Sequence, residues 1–346
     1  MTLPALPPPV LEARGLSKRY PIGGRGLFAR RPVPLLHAVD RVSLTVGAGE
    51  TVGLVGESGC GKTTLTRLLA RLIDPTEGMI RFGGEDIAAI PAARFATHPA
   101  RASIQMVLQD ADGSINPRFT AADAIAAPLR RLRRLSGAAL KDGIARAAEA
   151  CGLPPALLSR FPHQLSGGQK ARVGIARAIA PLMETKGPKL LILDEPTSAL
   201  DVSVQVVILA LLAELKARLG MSYLFVSHDL NVVRLICDRV LVMYLGRIVE
   251  EGPAEAVFRA PAHPYTRALV DSVAVPGAPG DGPRLRLAGD PKSPIDPDPN
   301  VCRFHGRGPR GEALCGQAAP PAFAPGAGRR ALCHKPLIDA LGREAA

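Results

Sequence analysis

Apolar residues follow three rhythms along this chain, and each predicts a different element. Short aliphatic runs lie at residues 50–55, 190–195, 222–226 and 240–244. Runs of this length, rich in Val, Ile and Leu, mark strands buried on both faces of a parallel sheet. Apolar and polar positions alternate over residues 36–46, where Ala38-Val39, Val42, Leu44 and Val46 predict a strand with one exposed face. Residues 10–20 predict a first strand and turn, and residues 104–109 a strand ending in a polar residue. Residues 79–82 followed by Gly83-Gly84 predict a hairpin. The third rhythm is helical. Leu65, Leu68, Leu69 and Leu72 predict a helix to about Ile73, stopped by the turn Asp74-Pro75-Thr76-Glu77-Gly78. From about residue 120 to 188 the pattern is helical, Ala- and Leu-rich, with few strand signals, so a helical insertion is expected there. Further helices are expected at 202–219 and 231–237. The class is α/β.

One loop changes the picture from fold to chemistry. Gly56-Glu57-Ser58-Gly59-Cys60-Gly61-Lys62-Thr63-Thr64 reads G-x-x-x-x-G-K-T and sits between a predicted strand and a predicted helix. Glycines let backbone N–H groups close around a phosphate, and the helix N-terminus favours the anion. Lys62 then reaches the β- and γ-phosphates, and the Thr63 hydroxyl holds Mg²⁺. Asp194 and Glu195 end an aliphatic strand 132 residues after Lys62. One carboxylate there can hold Mg²⁺, and its neighbour can polarise an attacking water. Leu165-Ser166-Gly167-Gly168-Gln169 opens an Ala/Ile-rich helix and is a second anion cradle or, more plainly, a capped glycine turn. One chain needs one γ-phosphate site, so a second cradle points to a nucleotide on another molecule.

Composition narrows the partners. The net charge of +12 suits anionic partners without choosing among nucleotides, nucleic acid and membrane surface. Aromatics make up 4% and Trp is absent, so the core must be aliphatic. No run of apolar residues is long enough to span a bilayer, and residues 1–10 are Pro-rich rather than a secretion signal. The six cysteines therefore read as reduced thiols, Cys151 and Cys237 as core residues and Cys60 as an exposed, oxidant-sensitive position. Residues 130–134, Arg-Arg-Leu-Arg-Arg, read as a solvated helix face or, less plainly, a surface for anionic lipid. In residues 276–346, 12 Pro and 11 Gly make up about a third of the composition, which predicts an irregular appendage held by something other than a core.

The motifs together resemble the ATP-binding cassette (ABC) ATPases. Residues 56–63 look like the Walker A loop, Gln109 the Q-loop, residues 165–169 the signature motif, and residues 190–194 Walker B with Glu195 as catalytic base. Ser198-Ala199-Leu200-Asp201 looks like the D-loop and His228 the switch histidine. All stand in the family's order over residues 10–255. Residues 113–118, 263–269 (His-Pro-Tyr-Thr-Arg-Ala-Leu) and 293–297 look like the ATPases of dipeptide, oligopeptide and nickel importers.

The resemblance implies a P-loop cassette with a parallel core sheet, an antiparallel β subdomain and a helical subdomain. It divides the chain into a flexible lead (1–9), the ATPase domain (10–255, with its helical insertion at about 120–188) and an importer-type extension (256–346). It implies Mg²⁺ held by Thr63, Gln109 and Asp194, with His228 on the γ-phosphate. Tyr20 would stack on adenine. Ser166, Gly167, Gly168 and Gln169 would complete a site on a second, paralogous ATPase, with Asp201 at that junction. Two permeases, a solute-binding protein and a peripheral place on the cytoplasmic face of the inner membrane follow, and no nucleic acid.

Competing readings fit less well. ABC proteins of DNA repair carry long coiled-coil or zinc insertions, whereas 104 residues separate Lys62 from Ser166 without sustained heptads. Translation members usually carry two cassettes. A soluble accessory ATPase of the carbon–phosphorus lyase type, or an importer for nickel or another small solute, remains as the alternative. Members of this branch also carry four C-terminal cysteines resembling an iron–sulfur site. Cys302, Cys315 and Cys333 match three, but the second position is Gly308. His305 and His334 lie near enough in sequence to complete an iron–sulfur or zinc site; a tail of free thiols is the other outcome.

Overall fold

The computed structural model describes residues 8–23, 33–109, 111–272, 285, 287–308 and 313–339, with the side chains of residues 111 and 112 left aside. The expected lead (1–9) falls largely outside these residues, as do residues 24–32.

Two sheets share one boundary. β1 (Leu11–Pro21) pairs antiparallel with β2 (Leu35–Val46). β3 (Thr51–Val55), with all five residues buried, runs into the glycine loop, and α1 (Lys62–Leu69) rises from it. β4 (Glu77–Phe82) and β5 (Glu85–Asp86) form the expected hairpin, and β4 pairs with β1. The first sheet therefore runs β2-β1-β4-β5, antiparallel throughout. Two single turns of helix, α2 (Ala92–Phe95) and α3 (Ala111–Ser114), lie on either side of β6 (Ile104–Val107).

The expected helical insertion follows as α4 (Ala121–Arg133), α5 (Gly137–Ala150) and α6 (Gly167–Met183). Thr120 and Asp123 form a reciprocal cap on α4, satisfying backbone N–H groups that a helix start leaves free. Arg133 turns inward and donates to the Pro181 carbonyl at the end of α6, so part of the basic run ties two helices together.

β7 (Leu190–Asp194), α7 (Val202–Leu219), β8 (Ser222–Val226), α8 (Leu230–Ile236) and β9 (Arg239–Tyr244) complete the central layer. β10 (Arg247–Pro253), α9 (Ala254–Arg259), α10 (Pro264–Ser272), β11 (Ala322–Phe323) and β12 (Arg330–Leu332) follow. The second sheet runs β11-β12-β10-β9-β3-β8-β7-β6. Its strands from β9 to β6 are parallel, and the others add antiparallel at one edge. Alternate residues of the parallel strands feed two cores. Leu191, Leu193, Phe225 and Val242 pack on the side of the helical insertion. Leu190, Ile192, Leu224 and Met243 pack against the first sheet and α1.

Three features depart from the sequence expectations. First, α1 ends at Leu69 rather than near Ile73. Arg71 takes a left-handed backbone (φ 53°), and its buried guanidinium donates to the carbonyls of Ile87, Ile73 and Ile90 and to Asp74. Those acceptors outweigh another turn of helix, and Leu72, the fourth apolar match, is 44% exposed. Second, β10 carries Glu250-Glu251 in its middle, which hid it as a strand. Glu250 is 1% exposed and fully used: it accepts from the N–H groups of Ala262 and His263 and pairs with Arg329, each at 2.9 Å. Third, the Pro/Gly-rich segment does not hang off the molecule. β12 pairs with β10 (Glu250 opposite Ala331), and Cys302 and Phe304 join the main core. Among the described residues, 287–308 form no helix or strand.

His263 shows how the extension is nailed down. It is wholly buried, and its Nδ1 accepts from the Tyr265 N–H at 3.0 Å, capping the start of α10. Burial pulls its pKa from 6.5 to about 3, against a weaker opposing hydrogen bond that the ring donates to the Leu332 backbone. Between those values the unfolded chain holds a proton that the folded chain refuses, so stability falls as pH drops through that window. We expect the unfolding free energy from denaturant titrations to decline from pH 7 to 4, by up to about 1.4 kcal/mol per pH unit. His263→Asn, which keeps an acceptor but does not titrate, should flatten that limb; an unchanged slope would count against His263 as its source.

Candidate nucleotide-binding and hydrolysis site

The glycine loop is shaped by what lies against it. A Cβ on Gly56 (φ 153°) would sit 2.2 Å from the Met243 carbonyl, and one on Gly61 (φ 111°) 2.2 Å from the Ala38 carbonyl. Both positions therefore exclude every side chain. Lys62 is folded back over the loop, donating to the carbonyls of Gly56 (2.7 Å) and Glu57 (3.0 Å). Its ammonium is thus already aimed at the space the loop encloses. That space is a cavity of about 440 Å³. Its floor is Ser58, Gly59, Cys60, Gly61, Lys62, Thr63 and Thr64, the motif read from the sequence.

Across the cavity stand Gln109, Glu195 and His228, which the sequence separates by up to 119 positions (228 − 109) and the fold brings together. Gln109 Nε2 donates to Glu195 Oε2 at 2.8 Å, and His228 Nδ1 lies 3.3 Å from the same oxygen. The carboxylate is thereby fixed from two sides. Glu195 itself has φ 49°, a left-handed backbone that a non-glycine residue adopts at a cost of about 1–3 kcal/mol. The turn aims its side chain into the cavity while Asp194, still in β7, points inward. Asp194 is buried, its carboxyl pushed above the ordinary range first by burial and then by the charge of Glu195. The charges of Arg67 and Lys62, and then the Thr66 hydroxyl, partly offset this. A buried acid of this kind beside the Thr63-lined cavity fits a divalent cation, whose charge would restore its ionised form.

The remaining expected residues fall in other places. Ser166 caps α6: its hydroxyl accepts from the Gln169 N–H at 3.3 Å, and the Gln169 side chain accepts from the Ser166 N–H at 3.0 Å. Neither these residues nor Gly167 and Gly168 line the cavity. Asp201 caps α7, accepting from the Val204 N–H at 2.9 Å. Tyr20 faces Leu36 across β1 and β2, with the Lys18 ammonium 5.1 Å from its ring centre, and is not among the lining residues. Cys60 corrects an expectation: it is buried, not exposed, and burial pushes its thiol up, away from reactivity. Cys151 and Cys237 are buried as read.

Sequence reasoning missed one wall, formed by Leu36, His37, Ala38 and Pro294. Pro294 arrives from the extension, where its carbonyl accepts from the His37 N–H (2.9 Å) and Asp296 N–H donates to Leu35 (2.9 Å). The run at residues 293–297 was the available signal, though nothing in it announces a strand.

The C-terminal thiols do gather, but not as a metal site. The Cys302 N–H donates to the Cys315 carbonyl at 2.9 Å, and their side chains are hydrogen-bonded. Among the described residues no three ligating side chains are arranged to hold a metal. Gly308 offers no ligand, and a Cβ there would lie 2.9 Å from the Phe304 ring, which fills the space. His334 lies at hydrogen-bond distance (3.0 Å) from the Ala318 carbonyl instead.

Comparison with known proteins agrees with this geometry. Residues 39–198 match the ABC transporter family, and residues 249–315 match the oligopeptide/dipeptide transporter C-terminal region. The probable peptide ABC transporter ATP-binding protein y4tS of Sinorhizobium fredii is 44% identical, covering 94% of this chain and 89% of its own. The oligopeptide transport ATP-binding protein AppF of Bacillus subtilis is 43% identical over 90% of this chain and 92% of its own. The dimeric cassette MJ0796, solved in a post-hydrolysis state with ADP and Pi, superposes with a TM-score of 0.60 at 27% identity, covering 70% of this chain and 98% of that one. Fold, cavity and sequence kinship converge: the chain belongs to the ABC transporter ATPases, in the branch that carries the oligopeptide/dipeptide transporter C-terminal region.

Proposed function

We propose that this chain is the ATP-binding and ATP-hydrolysing subunit of an ABC importer that powers uptake of di- and oligopeptides. The hydrolytic part is carried by one observation: the Glu195 carboxylate held by Gln109 and His228 across from the phosphate loop. The peptide part is supported by the relatives named for peptide transport and by the match at residues 249–315, which argues against a soluble accessory ATPase and for peptides over nickel.

Backbone N–H groups of residues 58–64 and the Lys62 ammonium bind the phosphates, neutralising charge where it builds. Thr63, Gln109 and Asp194 would hold Mg²⁺, which when bound withdraws charge from the terminal phosphate. Glu195 takes the proton of the attacking water as its oxygen bonds to phosphorus and the bridging P–O bond to ADP breaks. Gln109 and His228 keep that carboxylate in place. Ser166, Gly167, Gly168 and Gln169, lying away from the chain's own cavity, complete the site of a second cassette, with Asp201 at the junction. Tyr20 is assigned to the adenine end, beside Leu36. No helix among the described residues is long and apolar enough to cross a membrane. In this reading two permease subunits, fed by a solute-binding protein, form the path, and the ATPase sits at the cytoplasmic face beside a paralogous partner. No role falls to an iron–sulfur cluster or zinc in this reading, since Gly308 brings no ligand and no three ligating side chains are grouped among the described residues.

Glu195→Gln should keep ATP affinity and lower phosphate release about 100-fold or more, with an ATP-bound dimer accumulating on size exclusion. Turnover at the wild-type rate would remove Glu195 as the base. Lys62→Ala should abolish tight ATP binding in a titration; unchanged affinity would contradict the phosphate-loop assignment. Tagged protein recovered from native membranes should bring two permeases and a second cassette ATPase. Recovery with soluble proteins alone would sink the transport part and spare the ATPase part.

A further inference from the structure

The phosphate loop is gripped from below by the C-terminal extension, at a residue that does not line the cavity. Tyr265, fully buried at the start of α10, accepts a hydrogen bond from the Glu57 N–H at 2.7 Å. The Glu57 carboxylate takes a two-pronged pair of bonds from Arg307, at 2.7 and 3.0 Å. Arg307 in turn lies over the Tyr244 ring, 5.7 Å from its centre. The Tyr244 ring packs on Tyr265 (4.7 Å between centres) and edge-on to Phe304 (5.5 Å). Tyr244 follows Met243, whose carbonyl abuts Gly56. The Gly56–Glu57 peptide is thus clamped between the end of β9 and two side chains separated from it by 208 and 250 positions.

The same peptide region holds Lys62, whose ammonium donates to the carbonyls of Gly56 and Glu57. A shift of Glu57 therefore moves the groups that orient the lysine. A loop that must present its N–H groups in one shape binds more tightly when that shape is fixed in advance. We propose that Tyr265 and Arg307 are positioning residues for ATP binding, acting through Glu57 to hold the phosphate loop in its binding-competent form. The proposal rests on the ATPase reading above and adds to it a role for the extension.

The test uses the full chain, with Mg²⁺–ATP as the probe. Tyr265→Phe and Arg307→Met should each weaken ATP binding about 3- to 10-fold by titration and raise KM in parallel, the loss expected for one or two hydrogen bonds. The value of kcat should stay within about twofold, since neither side chain touches the reacting atoms. Arg307→Lys should recover part of the loss. The decisive comparison is a cycle with Glu57→Gln: once the carboxylate is gone, Arg307→Met should cost little more. An equal cost in both backgrounds would mean that Arg307 attracts ATP by charge alone, and would overturn the proposal. ATP affinities within twofold of wild type for both Tyr265→Phe and Arg307→Met would overturn it as well. Should Tyr265→Phe fail to fold, the Arg307 and Glu57 cycle decides alone. A wild-type chain that binds no Mg²⁺–ATP would bring down the ATPase reading and the proposal together; tight wild-type binding with unchanged variants removes the proposal only.

Discussion

Everything in this molecule is arranged around a loop that has almost no side-chain room. Gly56 and Gly61 press their Cα atoms against the carbonyls of Met243 and Ala38, one from each sheet. A loop so placed cannot relax toward either neighbour, so its backbone keeps one path along the cavity floor. The cost is borne by the frame: strands on both sides must be rigid and dry. The parallel strands meet this with residues buried on both faces, and the first sheet meets it by packing its apolar face on α1. Two cores, rather than one, follow from having a phosphate loop at their shared boundary.

Strain is concentrated where chemistry needs it. Glu195 leaves β7 through a left-handed backbone, so that adjacent carboxylates face different surroundings. Asp194 becomes a buried acid waiting for positive charge, and Glu195 a partly accessible carboxylate steered by Gln109 and His228. The same two-residue sequence in an unstrained turn would leave the two carboxylates in similar solvent.

The sequence carried the parallel strands, the helical insertion and the cavity floor, because burial on both faces and phosphate binding each leave a dense local pattern. The meeting of Gln109, Glu195 and His228 was legible only through motif order, since nothing local in any of them predicts a shared oxygen. Where one charge hid a strand, local reading failed. Glu250 looks like surface, yet Arg329 and two backbone N–H groups make it interior. Arg71 misled in the same way, its buried guanidinium ending a helix that the leucine spacing would continue. In both cases the missing information was a set of partners outside the element itself, within 19 residues for Arg71 and 79 residues on for Glu250. Pro294 is the converse: an unremarkable residue in a loop-like stretch that distant hydrogen bonds carry to the cavity wall.

The pairing of β10 with β12 has a consequence for how this chain comes off the ribosome. Glu250 meets its guanidinium partner 79 residues later. Until that stretch emerges, Glu250 has its two backbone N–H donors but not its guanidinium, and the edge of β10 is open. Such an edge is a template for pairing with the wrong chain. Closure of this sheet edge therefore waits on residues 329–332, and a chain paused before them presents β10 without its outer neighbour.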